Sequence, residues 1–302
     1  MPDESMRPSI AVVVNTLNEE KRLPSALASV YQWVDQIVVV DMRSDDRTAD
    51  VARSFGAELF LHDRLGYADP ARAYALSKAT TDWILILDAD ELVPIELART
   101  LQRVAADNAV DVVRIPMVNH LLGAKLVGTG WGPAQDRHIR FFRKGALTTT
   151  PDIHDYLRVA PGARILDLPV RESMALVHYN YTDVGHFLEK LNRYTDIEAS
   201  SALEHGQPSS RPMALIAALR EFASRFVARR GYRDGWRGFY LAILMAGYQL
   251  VTAAKIEQLR RAGPRSDIEA SYEQDADRLL HAHGEPAVVR AEAARRITAD
   301  RQ

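Results

Sequence analysis

Apolar positions fall into short blocks through the first ninety residues, separated by amphipathic stretches, and this alternation predicts strands and helices in turn. Residues 10–14, 36–40 and 57–61 read as strands. Between them the spacing predicts helices over about 21–33, with Pro24 in the first turn, and 48–55, with Asp45 or Asp46 as cap. Asp69-Pro70 opens a further helix with a cap and an N1 proline. Trp83-Ile84-Leu85-Ile86-Leu87 forms a fourth strand that ends at Asp88. Repeated βα units of this length imply a parallel sheet covered by helices on both faces.

After a helix starting near Pro94 the pattern changes. Residues 110–118, 138–142 and 175–179 look like strands, with a glycine-rich stretch over 123–132. Gly128-Thr129-Gly130-Trp131-Gly132 lacks the spacing of a dinucleotide fingerprint and follows no clear strand. From Thr182 onward the chain reads as helix, over roughly 183–204, 212–230 and 235–262. The expected organisation is an α/β domain over 1–181, a helical region over 182–262 and a charged tail over 263–302, helical or partly disordered.

Composition narrows the function. A chain of 302 residues with 47% apolar side chains can build a full core, and a net charge of −2 argues against nucleic acid as partner. The absence of cysteine excludes disulfides, thiolate zinc sites and cysteine nucleophiles. Residues 1–9 carry no apolar run of signal-peptide type. The charge is uneven: residues 211–261 carry +7, leaving −9 for the rest.

Candidate chemistry sits at strand ends. Asp88 and Asp90, spaced i, i+2 beyond a buried strand, can face the crevice where open α/β sheets bind ligands. Their hard oxygens suit Mg²⁺ or Mn²⁺, which would grip a diphosphate. Asn15-Thr16-Leu17-Asn18-Glu19-Glu20 follows the first strand and Asp41 ends the second. Each alone could be a turn or a cap. Three such clusters at one sheet edge are hard to explain by solubility.

These segments resemble the family 2 glycosyltransferases. The resemblance rests on Val-Val-Asn-Thr-Leu-Asn-Glu-Glu, on Ile-Val-Val-Val-Asp ending at Asp41, and on Trp-Ile-Leu-Ile-Leu-Asp-Ala-Asp-Glu. It continues more weakly through Arg137-His138-Ile139-Arg140-Phe141-Phe142, Ile153-His154-Asp155 and His178-Tyr179, where the chain is similar to the bacterial lipopolysaccharide-core and exopolysaccharide glucosyltransferase branch. The resemblance implies a GT-A fold, a Rossmann-like nucleotide-sugar-binding mixed sheet followed here by a helical region. It further implies inverting sugar transfer from a nucleotide-sugar, UDP-linked by resemblance, with Mn²⁺ or Mg²⁺ as cofactor. Asn18, Glu19, Asp41, Arg72 and Asp88 would line the nucleotide. Asp90 and Asp88 would hold the metal, with His178 completing the site. Asp155 would be the general base for an acceptor hydroxyl. Arg137, Arg140, His154 and Trp131 are candidates for diphosphate or acceptor contacts. Ala73, where an asparagine commonly follows the arginine, and Met42-Arg43-Ser44 depart from the family pattern.

Seventeen uncharged residues over 238–254 fall short of the roughly 20 that span a bilayer. Before them Arg225, Arg229, Arg230, Arg233 and Arg237 interleave with Phe222, Phe226, Tyr232 and Trp236, as suits a headgroup layer. The expectation is peripheral contact at the cytoplasmic membrane face and a lipid-linked or lipopolysaccharide-type acceptor. Packing on the catalytic domain, or against a second copy in a homo-oligomer, is the alternative for these helices. Rival activities are a polyprenyl-phosphate glycosyltransferase, which needs no base, and a catalytically silent nucleotide-sugar-binding scaffold.

Overall fold

The computed structural model describes residues 7–64, 69–149, 157–208 and 210–281. Its first half follows the expected alternation: β1 (Ile10–Thr16), α1 (Leu23–Ala28), β2 (Gln36–Asp41), α2 (Thr48–Ser54), β3 (Glu58–Leu61), α3 (Asp69–Lys78) and β4 (Trp83–Ile86). α1 is shorter than its pattern predicts. The Ser29 hydroxyl bonds back to the Ala26 carbonyl at 2.7 Å and accepts the Val93 N–H at 3.1 Å, so the chain turns out of the helix there. At α2 the N-cap is Arg47, while Asp46 one position earlier accepts the Thr48 N–H at 2.9 Å.

There follow β5 (Glu91–Leu92), α4 (Ile95–Asp107), β6 (Val112–Leu121), β7 (Ala124–Lys125), β8 (Arg137–Arg143), β9 (Leu147–Thr149), β10 (Leu157–Val159), β11 (Ile165–Asp167) and β12 (Leu176–Tyr179). The main sheet runs β3-β2-β1-β4-β8-β6-β12-β5. Its first four strands are parallel, and β8 enters antiparallel between β4 and β6. Both faces are buried. Val12 and Val14 pack with Leu23, Leu27, Leu97 and Leu101 on one side; Ala11 and Val13 pack with Ala75 and Ala79 of α3 on the other. Strand faces alternate with period two, so this division follows directly from register.

β6 carries the sheet into its second half. Residues 112–116 pair with β8, and from Met117 onward the strand pairs with β12. The handover follows Pro116, which has no N–H to give to a ladder. β12 pairs in turn with β5, so His178 lies in register between Asn119 and Glu91.

The remaining elements are α5 (Val184–Glu204), α6 (Arg211–Ala223), a π-helical turn (Ser224–Ala228), α7 (Gly235–Ala262) and α8 (Arg265–His281). The expected 212–230 helix therefore ends its α-helical part at Ala223. Two compact units result: residues 1–190 with 220–245, and residues 191–219 with 246–302. Those limits differ from the sequence boundaries at 181 and 262, because 220–245 pack into the first unit.

That packing explains the glycine-rich stretch. Asp234 accepts the N–H groups of Val127 and Gly128 at 2.7 and 2.9 Å, and the Thr129 N–H reaches the Arg229 carbonyl at 3.1 Å. A Cβ on Gly128 would stand 2.5 Å from the Arg230 oxygen, and one on Gly238 would stand 1.8 Å from the Gly231 oxygen. Backbone meets backbone here, which only glycine allows. In the second unit Ala199, Ala202 and Ile256 form a small core. Beside it the Lys255 amine bonds the Asn192 carbonyl and pairs with Asp196 at 2.6 Å.

Candidate active site

The loops after β1 and β2 are laced together by side chain to backbone bonds. Asn18, in the left-handed region at φ 56°, gives its N–H to the Ser44 hydroxyl at 2.8 Å, and its Oδ1 accepts the Asp45 N–H at 2.8 Å. The Glu19 N–H bonds the Thr48 hydroxyl at 2.8 Å, the Glu20 N–H bonds the Asp46 carboxylate at 3.1 Å, and the Glu20 carboxylate accepts the Arg47 N–H at 3.0 Å. Asp41 is 2% exposed and accepts both the N–H and the hydroxyl of Ser44. In Met42-Arg43-Ser44 it is thus the serine that organises the turn. At the same edge Asn15 Nδ2 and Thr16 Oγ1 are buried polar atoms with no hydrogen-bond partner, which fits a polar ligand over the end of β1.

Beyond β4 the chain makes a tight turn in which Glu91 gives its N–H to the Asp88 carbonyl and takes the Asp88 N–H on Oε2 at 2.9 Å. Asp88 is held by Arg72 at 3.1 Å and by Arg140 at 2.9 Å; the same Arg140 nitrogen reaches Glu91 at 2.7 Å. Burial works against ionisation of Asp88, but Arg140 and Arg72 outweigh it and hold the carboxyl well below the usual range. At Glu91, which is fully buried, burial wins over Arg140 and pushes the carboxyl up. Arg140 is therefore committed to the protein's own carboxylates here, whereas the sequence offers it as a diphosphate ligand.

Asp90 faces the other way. Its Oδ1 lies 3.5 Å from His178 Nε2 and its Oδ2 lies 4.0 Å from Arg22 Nη1. Arg22 also stands 3.8 Å from Glu19 and bonds the Thr182 hydroxyl at 3.0 Å, tying the start of α1 to the chain after β12. Burial opposes ionisation of Asp90, yet the His178 contact keeps its carboxyl below the ordinary value; burial likewise opposes charge on His178, and Asp90 raises it. Burial pushes Glu19 up, with Arg22 opposing.

An ionised carboxylate beside an imidazole nitrogen is a donor pair that fits a divalent cation with further oxygens from a diphosphate and water. Among the described residues no group of three or more His, Cys, Asp and Glu side chains forms a cation site.

The structure brings Glu19 and Asp90 together at Arg22, with His178 beside Asp90, and Asp88 together with Arg72 and Arg140. Asn18 and Asp41 organise the adjoining loops. Arg137 lies on β8 opposite Pro116, and Trp131 lies under the Arg225 guanidinium at 4.6 Å, in the loop that docks on residues 225–238. His154 and Asp155 fall outside the described residues. Sequence reading missed Arg22, Glu91, Asn119 and Ser44. Glu91 sits inside the quoted motif, and Arg22 stands three residues after Glu19 at a helix start, so both had a local signal; Asn119 had none beyond an amide in an apolar strand.

A mixed sheet with helices on both faces, acidic residues at its strand ends and a following helical region make up a GT-A architecture. Residues 11–158 match the family model of glycosyl transferase family 2, so the chain carries a glycosyltransferase domain of that family. It is 26% identical over 280 residues to an uncharacterized glycosyltransferase of Rickettsia typhi, covering 90% of this chain and 95% of that one. It is 27% identical over 275 residues to the lipopolysaccharide core biosynthesis glycosyltransferase LpsC of Rhizobium meliloti, covering 86% and 96%. Among solved structures, the mannosyltransferase PcManGT of Pyrobaculum calidifontis, in complex with GDP-mannose and Mn²⁺, aligns over 85% of this chain and 89% of its own, with TM-score 0.48 and 20% identity. Glucosyl-3-phosphoglycerate synthase of Mycobacterium tuberculosis, in complex with Mn²⁺, UDP and phosphoglyceric acid, aligns over 37% and 44%, with TM-score 0.32 and 22% identity.

Proposed function

We propose that this glycosyltransferase moves a sugar, with inversion, from a UDP-sugar to a hydroxyl of a lipopolysaccharide-type or lipid-linked acceptor, using Mn²⁺ or Mg²⁺. The observation that carries the reading is the Asp90–His178 pair, sheltered at the ends of β4 and β12 in a family 2 domain. Asp90 and His178 would hold the cation on the donor diphosphate, and the cation would supply Lewis-acid stabilisation as negative charge grows on the leaving group. Arg22, 4.0 Å from Asp90, adds a fixed positive charge on the same side. Asn18, Glu19 and Asp41 would position the nucleoside, with carboxylates accepting from ribose hydroxyls or a base N–H. Arg72 and Arg140 hold Asp88 ionised beside them. Asp155 would accept the proton of the attacking hydroxyl. The likeness to LpsC supports an envelope saccharide as acceptor.

Membrane contact belongs to the same proposal. Residues Gly231–Ala262 are long and apolar enough, by length and composition, to cross a bilayer. Within the first unit Trp236, Phe239, Tyr240 and Ile243 of α7 expose 40–55% of their surface, as does Tyr232 in the turn before it. Arg225 and Arg237 are turned to the Thr129 and Leu122 carbonyls at 2.8 and 2.9 Å, so part of the basic charge serves the fold. Aromatic side chains with exposed apolar bodies and polar tips favour the headgroup layer of the cytoplasmic face.

A thermal-shift screen of UDP-, GDP- and dTDP-sugars with and without Mn²⁺ tests the core of this reading. Ligand at about 100 times its dissociation constant adds roughly 2.7 kcal/mol. A chain stabilised by no nucleotide-sugar at any metal concentration would refute it.

A further inference from the structure

Asn119 is completely buried on β6, and two of its three polar contacts are with groups that only accept. Its Nδ2 faces two acceptors, the Trp131 carbonyl at 3.0 Å and Asp136 Oδ2 at 2.6 Å. Turning the amide over would set its oxygen against both. The amide orientation is thereby determined, and Oδ1 must face His178 Nδ1 at 2.8 Å. An amide oxygen only accepts, so Nδ1 must carry the ring hydrogen. Nε2 of the neutral ring is then a lone pair directed towards Asp90, 3.5 Å from Oδ1. In the deprotonated ring these two acceptors have no proton between them, which suits a shared cation.

We infer that Asn119 is a positioning residue, which fixes His178 in the Nδ1–H tautomer and so presents Nε2 to the metal beside Asp90. This rests on the metal-dependent reading above but is separable from it. The chain of contacts continues outward: Asp136 Oδ1 pairs with the half-exposed His138 at 2.7 Å, and Trp131 belongs to the glycine-rich loop that docks on the arginine turn. Supporting groups of this kind orient a metal-binding imidazole and typically contribute 10- to 100-fold in metal affinity. Neutral histidine in water favours the other tautomer, so the lock opposes an intrinsic preference.

The experiment is nitrogen-15 NMR of the histidine rings in the metal-free protein, at a pH alkaline enough to make His178 neutral, joined to Mn²⁺ titration by EPR. In the wild type the expected spectrum shows His178 protonated at Nδ1. Asn119→Leu should shift the ring to Nε2–H and weaken Mn²⁺ binding by roughly 10- to 100-fold. A wild-type His178 protonated at Nε2 overturns the inference with no variant needed. So does Asn119→Leu with unchanged tautomer and unchanged Mn²⁺ affinity. Absence of Mn²⁺ binding by the wild type would instead overturn the metal-dependent function, while the tautomer still decides the role of Asn119.

Discussion

Replacing Arg140 by methionine should destabilise the fold severely, and the magnitude follows from what is left behind. One guanidinium nitrogen stands 2.9 Å from Asp88 and 2.7 Å from Glu91, and the Glu91 side chain has no solvent exposure. Methionine fills much of the stem volume but removes the charge, so a buried carboxylate loses its cation. Breaking a buried pair in this way costs about 3–5 kcal/mol, whereas removing both partners can be close to neutral. At about 2–4 °C per kcal/mol for a domain of this size, the midpoint of thermal unfolding should fall by roughly 6–20 °C. The assay is a double-mutant cycle with Glu91→Gln, each protein unfolded by heat and by urea. Glu91→Gln keeps an acceptor for the Asp88 N–H at 2.9 Å and should recover much of the loss when combined with Arg140→Met. A loss under about 1 kcal/mol for Arg140→Met, or no recovery in the double variant, would refute the idea that Arg140 neutralises Glu91.

Four further outcomes are expected. Asp90→Ala should abolish Mn²⁺-dependent nucleotide binding by calorimetry with an unchanged circular dichroism spectrum, since among the described residues its side chain forms ion pairs only with His178 at 3.5 Å and Arg22 at 4.0 Å. Asp155→Asn should keep donor binding and slow transfer by roughly 10²- to 10⁴-fold, and near-normal turnover would favour a base-free attack by a phosphate. Gly238→Ala lies in a helix, where alanine ordinarily gains about 1 kcal/mol, but its Cβ would stand 1.8 Å from the Gly231 oxygen; chemical denaturation should therefore show a loss of about 1–3 kcal/mol, the reverse sign. The protein should co-sediment with anionic vesicles at low salt and leave them at high salt, and Trp236→Ser with Tyr240→Ser should weaken this; resistance to alkaline carbonate would mean that the helix inserts fully.

The sequence alone determined the strand and helix order through Asp107 apart from the short β5, and the carboxyl-end placement of Asn18, Asp41, Asp88 and Asp90. Both depend on local signals: the period of apolar positions, and the rule that a buried parallel strand delivers its next polar residues to the same edge. Tertiary structure decided what those residues meet. Asp90 and His178 are far apart in the chain, and only the change of partner along β6 after Pro116 brings β12 beside β5. Arg140 and the glycine-rich stretch show the same limit from the other side. An arginine near two carboxylates and a run of glycines carry no mark of whether they face a ligand or the protein itself. Here Glu91 claims the arginine and the backbone of residues 229–238 claims the glycines. Asn119 is the furthest from sequence-level detection, because its role rests on three contacts from two distant segments, two of them needed to fix which way one amide points.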